Sequence, residues 1–172
     1  MAYTIDGTIG IDVTKAPVTV AEWPVGKRTE QSDGTVWQYL AIPTSTAIRQ
    51  YDAVGVVAAN GTVNALTSTN ALTGLATAIA QQAVASNADN IQYMWFLLAN
   101  PRAQTGYKVR AAASCAINAK LATTAFGGTL DDTTAGTVLR VDGIVLTDSQ
   151  PAGSSGSRTF RTSNVPLGWG AV

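Results

Sequence analysis

Apolar and polar residues alternate along much of the chain, and residues that favour turns separate the alternating segments. In "TVWQYLAI", Val36, Gln38 and Leu40 fall on one face and the residues between them on the other, and Pro43 follows. This period-two pattern, rich in β-branched and aromatic residues, predicts a strand that ends before the proline. Residues 91–99, "IQYMWFLLA", are almost wholly apolar and too short to span a membrane. They predict a central buried strand.

Turn signals recur regularly between these segments. Asn60-Gly61 lies between "AVGVVAA" and "TVNAL" and is the strongest hairpin signal in the sequence. Strands repeated at intervals of roughly 8–12 residues are typical of a sandwich or a barrel. The sequence therefore predicts an all-β fold, a single-domain antiparallel sandwich or barrel with an extended N-terminal arm.

The positions of glycine, proline and serine residues divide the chain into three regions. Residues 1–21 predict an extended arm or an irregular first strand, and a frayed terminus is the alternative reading. Residues 22–150 form the β-rich domain, and residues 151–172 predict a Gly/Ser-rich exposed loop followed by a terminal strand or arm. Residues 71–87 fit both helical and strand periodicity, and we favour a strand because "SNADN" resembles a tight connection. No convincing internal repeat and no second domain boundary are visible.

Composition and charge limit the possible partners. Charged residues make up 13% of the chain, and the formal net charge is zero. Such a chain exerts no long-range attraction on nucleic acid or on an anionic membrane surface. We therefore expect neither as a partner. No apolar segment has the length of a membrane span, and no signal-like segment opens the chain, so synthesis in the cytoplasm is expected.

The candidate chemistry lies in "SCAINAKLATTAFGGTLDD", which contains the only cysteine, Cys115, and the pair Asp131-Asp132. A nucleophilic cysteine needs a base, usually histidine, and the chain has none, so a small buried residue is the favoured reading of Cys115. Adjacent carboxylates diverge on a strand or a helix, which favours a solvated turn over an acid/base pair. Weak calcium binding by this loop remains an alternative, without EF-hand spacing. We expect no catalytic residue, no metal site and no cofactor.

The C-terminal region carries the candidate interface residues. Arginine and tryptophan are enriched in the energetic centres of protein interfaces. Arg158 and Arg161 flank Phe160, and Trp169 follows nearby. These four residues are the predicted contacts with a partner or a sister subunit, although solvated arginines would look the same in the sequence.

Several segments, taken in order, resemble the head decoration (cement) proteins of tailed phages. They are "SDGTVWQYLAI", "QYDAVGVVAANGTVNALT", "QYMWFLLA" and "YKVRAAASCAINAKLATTAFGGTLDDTTAGTVLRVDGIVLT", and they cover roughly residues 22–150. The most specific parts are "AKLATTAFGGTLDD" and "DGIVLT". The resemblance implies a non-enzymatic virion protein on the head surface that binds the major capsid protein, bridges neighbouring capsomers and forms small oligomers, trimers or dimers.

Other functions remain open at this stage. A tail or fibre module that binds a carbohydrate or protein receptor is the first alternative, because tryptophan and tyrosine rings stack on apolar sugar faces. An enzyme and a helical repeat of small residues fit the sequence less well.

Overall fold

A computed structural model describes residues 11–67, 76–125, 127–132 and 140–162. Every regular element in these ranges is a β-strand, which confirms the predicted all-β class. The strands are β1 (Arg28–Glu30), β2 (Val36–Ile42), β3 (Ala53–Val57), β4 (Thr62–Ala65), β5 (Ala76–Ile79), β6 (Gln92–Ala99), β7 (Lys108–Ala111), β8 (Lys120–Thr123), β9 (Leu130–Asp131), β10 (Arg140–Leu146) and β11 (Gly156–Thr162).

The strands from β2 to β6 close into a ring, here called barrel 1. The pairing order is β2-β4-β3-β5-β6, and β6 pairs back onto β2. All pairings in the ring are antiparallel except β2 with β4, which is parallel at Ala41 opposite Thr62. β1 lies antiparallel to the first half of β2. The predicted central strand corresponds to β6, and the part of the ambiguous segment 71–87 that the structure describes contains the strand β5.

The strands from β7 to β11 close into a second ring, barrel 2. Its order is β7-β9-β8-β10-β11, and β11 pairs with β7. Again one pairing is parallel, between β7 and β9 at Ala111 opposite Leu130. β11 lies within residues 151–172, for which the sequence predicts a loop followed by a terminal strand or arm, and it completes this barrel.

The two barrels have the same topology. When β2 to β6 are matched in order with β7 to β11, every pairing has a counterpart of the same direction. The register agrees as well, since Val56 opposite Val63 corresponds to Thr123 opposite Leu130. The structure therefore contains an internal repeat that the sequence does not reveal.

The turns of the two barrels also match. Ser45 and Ser114 have φ values of 60° and 67°, and each lies three positions after the strand that precedes it. Tyr51 and Asn118, at 71° and 60°, each lie two positions before the next strand. Left-handed backbone is uncommon for residues other than glycine. Its recurrence at equivalent places supports the correspondence between the barrels.

Two hydrophobic clusters make up the core of the described part of the chain. Barrel 1 contains one of them, formed by Leu40, Ile42, Ile48, Val54, Val56, Val63, Ala78, Ala80, Val84, Met94, Phe96 and Leu98. The other joins the interior of barrel 2 to the outward-facing side of barrel 1. It includes Val109, Leu121 and Phe160 from barrel 2 and Trp37 and Trp95 from barrel 1. Ile11 and Val13 of the predicted N-terminal arm are buried in this shared cluster, so residues 11–13 are an integral part of the packing.

A segment of barrel 1 inserts into barrel 2. In barrel 1 the amide of Ala41 donates to the carbonyl of Gly61 at 3.0 Å. The equivalent groups of barrel 2, the Arg110 amide and the Gly128 carbonyl, bind instead to the segment 51–53. The amide of Arg110 donates to the first carbonyl of this segment, and the last amide of the segment donates to Gly128, both at 2.8 Å. Backbone hydrogen bonds thus join the two barrels.

Candidate functional site

Three of the four predicted interface residues, Arg158, Phe160 and Arg161, belong to β11. Residues of a strand alternate between its two faces. Arg161 points outward and is exposed, whereas Phe160 is 0% exposed and lies in the shared cluster. Arg158 is partly buried, and its Nη1 donates to the carbonyl of Ser157 at 3.0 Å. Trp169 lies outside the described residues.

Phe160 is therefore a core residue, and its predicted role as an interface contact is corrected. Its inward orientation follows from the pairing of β11 with β10, which places it opposite the buried Leu146. Phe96, at the equivalent position of β6, is also completely buried. The flanking arginines suggested an exposed position, but the alternation of the strand decides the face.

The residues of the candidate chemistry do come together. The sulfur of Cys115 lies 3.7 Å from Oδ1 of Asp131 and 3.9 Å from the carbonyl oxygen of Leu130. Oδ2 of Asp132 accepts the amide hydrogen of Ala116 at 2.7 Å. The expected divergence of the two carboxylates does not occur, because β9 ends at Asp131 and the chain bends at Asp132. Asp132 caps the Cys115 loop instead of its own backbone.

The contacts just described hold the side chains of Cys115, Asp131 and Asp132 together without a ligand. Potential ligand atoms of Cys115, Asp131 and Asp132 lie within 4.8 Å of one another, and no other such group occurs among the described residues. Burial is the main reason that the pKa of Cys115 rises to about 11, and the nearby carboxylates raise it further. At neutral pH Cys115 is therefore a protonated thiol, which is a weak nucleophile. Its contacts account for it as a structural residue.

We expect Cys115 to be inert towards thiol reagents in the folded protein. Thiolate is the reactive species, and both burial and the raised pKa lower its accessible population. Because the pKa is raised on folding, this group favours the folded state below the unfolded thiol pKa of about 8.5. That contribution is lost as the pH rises through about 11. Titration with Ellman's reagent at mildly alkaline pH should give no reaction before denaturant is added and one thiol per chain afterwards. Reaction of the native protein at the rate of free cysteine would contradict this assignment.

The feature that sequence reasoning missed is a charged group at the junction of the barrels. The side chain of Asp52 is 7% exposed, and its carboxylate accepts from Nε of Arg49 and Nε of Arg110, each at 3.1 Å. Nη2 of Arg49 also donates to the carbonyl of Gly127 at 2.7 Å. Asp52 and Arg110 are far apart in the sequence, so their contact could not be predicted from it. The one feature of the sequence that points to this group is an isolated acidic residue beside a turn.

The described tryptophans do not form an exposed aromatic surface. Trp37 and Trp95 are buried, and Trp23 is half-buried beneath the Nζ atom of Lys27, which lies 4.5 Å from a ring centroid. The exposed apolar side chains include Val20 and Ile91, 75% and 43% exposed. No helix within the described ranges has the length and hydrophobicity required to cross a bilayer.

Comparisons with protein-family models, with curated proteins and with solved structures give no match. The fold itself defines the class of the chain. It is an all-β protein whose described strands form two closed five-stranded rings of the same topology.

Proposed function

We propose that this chain is a structural virion protein that binds the outer surface of a tailed-phage capsid and bridges neighbouring capsomers. The sequence segments that together, in their order along the chain, resemble head decoration proteins support the proposal. The longest of them spans most of barrel 2. The major capsid protein is the proposed partner, and a dimer or trimer of the chain is the proposed assembly. The role requires surface shape and no reaction.

The observation that carries the proposal is the pair of barrels held in a fixed arrangement. A protein that bridges two subunits needs two separate surfaces whose relative position does not change. Here the shared hydrophobic cluster, the hydrogen bonds of segment 51–53 and the Asp52 ion pairs link the two barrels. Asn100 adds a further link, since its Nδ2 donates to the carbonyl of Phe160 at 2.9 Å and its own amide donates to Oγ1 of Thr162. Each barrel can thus contact a different capsid subunit.

Bridging also allows weak individual contacts to be effective. A standard interface buries about 800 Å² on each partner. Two linked contacts raise the effective concentration of the second one. When the protein is present at about 100 times its dissociation constant, each occupied site stabilises the bound state by about 2.7 kcal/mol. Repeated over a shell, this reinforcement resists the internal pressure of packaged DNA.

The proposal predicts that the purified chain binds isolated phage heads that lack it and raises the temperature at which they release DNA. Co-sedimentation measures binding, and a dye that reports released DNA measures head stability. Gold-labelled antibody should decorate the heads of intact virions over their whole surface. Labelling confined to the tail would contradict the proposal and favour the receptor-binding alternative, and absence from virions would exclude both.

A further inference from the structure

The repeat allows equivalent outward-facing positions of the two barrels to be compared. In barrel 1, Ala53 pairs with Ile79, which pairs with Leu97, and these three residues form a row across three strands. All three are completely buried in the cluster shared with barrel 2. This face of barrel 1 is therefore an interface within the chain.

The same row in barrel 2 has a different composition. Lys120 pairs with Val145, which pairs with Arg161, in the register that corresponds to the row in barrel 1. Lys120 and Arg161 are exposed, and Val145 is partly buried. Two of the three apolar positions of barrel 1 are thus occupied by cations in barrel 2.

A third cation extends this surface. Lys108 pairs with Thr159, which lies two positions before Arg161 and on the same face of β11. Directly paired residues of neighbouring strands have Cβ atoms about 5 Å apart. The three salt bridges of the described residues involve none of Lys108, Lys120 and Arg161. We call this surface the cationic face.

Solvation alone is a weaker explanation of this arrangement. The chain is neutral overall and has few charged residues, so three cations on one face that form no ion pair with the described residues are a local concentration. They also occupy the face that serves as an interface in the other barrel. Positive charge at that position matches a partner of opposite charge.

We propose that the cationic face, formed by Lys108, Lys120 and Arg161, docks on an acidic surface of the capsid protein. This inference rests on the proposed function and specifies the face that meets the shell. A protein surface fits better than nucleic acid as the partner. The chain lacks the net positive charge that drives nucleic-acid binding, and Val145 and Thr159, which adjoin the cations, supply no ring for base stacking.

The test compares two double variants of the full-length chain. In Lys120→Glu/Arg161→Glu the two exposed cations of the face are reversed. The matched control is Arg28→Glu/Arg102→Glu, which reverses two exposed cations outside barrel 2. Urea unfolding first establishes that both variants fold as the wild type does. Co-sedimentation with heads that lack the protein then gives the three affinities, and fluorescence anisotropy measures binding of each chain to duplex DNA.

We expect the variant of the cationic face to bind heads about tenfold more weakly than the wild type, with the control unchanged. Wild-type binding should also weaken as salt is raised, because salt screens exposed charges. Equal binding by both variants would contradict the proposed docking role of the cationic face while leaving the decoration function intact. Failure of the wild type to bind heads would overturn both. Binding to DNA that only the face variant loses would overturn the proposal in favour of nucleic acid.

Discussion

Replacing Phe160 with alanine is expected to lower the free energy of unfolding by about 3–5 kcal/mol. The side chain is completely buried among residues of the shared cluster, opposite Leu146 on β10. Its removal takes apolar surface out of the core and leaves a cavity that a closed barrel cannot easily collapse to fill. Urea unfolding followed by tryptophan fluorescence measures the change.

The neighbour on the same strand provides the control. Arg161 is exposed, so Arg161→Ala should change the free energy of unfolding by no more than about 0.5 kcal/mol. Phe160→Leu preserves most of the volume and should cost less than about 1.5 kcal/mol. If Phe160→Ala were as stable as Arg161→Ala, the residue would not lie in the core, and the interface role that the sequence predicts for it would be supported.

The contrast between these neighbours shows what the sequence can and cannot predict. The existence of strands such as β2 and β6 follows from alternation and from turn residues, and it is correctly predicted. The closure of the strands into two rings depends on pairings between distant segments, such as β6 with β2. The one parallel pairing in each ring has no local signal, because it is set by the crossover between strands rather than by either strand.

The internal repeat is hidden for a physical reason. Inside a barrel, the requirement at most positions is only an apolar side chain of suitable size, so residues such as Val54 and Leu121 can occupy equivalent inward positions. Identity persists mainly in the turns, where the backbone has a special conformation. "STAI" at 45–48 corresponds to "SCAI" at 114–117, and "NGTV" at 60–63 corresponds to "GGTL" at 127–130. Such short matches are not recognisable until the pairings are known.

The candidate site likewise combines features that the sequence predicts with features that depend on contacts between distant segments. The structural role of Cys115 follows from the absence of histidine and from its neighbours, and the structure places it in the core. Its contact with Asp131 depends on the meeting of two separate loops. The Asp52 ion pairs likewise depend on the contact between the barrels. The structural role of Cys115 could therefore be predicted from the sequence, whereas the burial of Phe160 and the grouping of distant residues could not.

Gly128 combines two requirements that only the structure reveals, and its replacement is the most direct test of the junction. Its φ of +79° lies in the left-handed region, where a side chain adds about 1–2 kcal/mol of strain. A Cβ atom at this position would also lie 2.4 Å from Cγ of Asp52, far inside a normal contact. The side chain of Asp52 would have to move away from Arg49 and Arg110, which both bind it.

We therefore expect Gly128→Ala to destabilise the fold by the strain plus about 1–3 kcal/mol for the forced contact. Gly153→Ala is the matched control, since Gly153 has a φ of +101° but no atom within 4 Å of the added Cβ. The Gly153→Ala variant should lose only the stability that corresponds to the backbone strain. The difference between the two variants in the free energy of unfolding, measured with urea, thus gives the cost of displacing Asp52 at the junction between the barrels. Equal losses would mean that Asp52 moves aside at no cost, and the fixed arrangement of the barrels that bridging requires would lose its support.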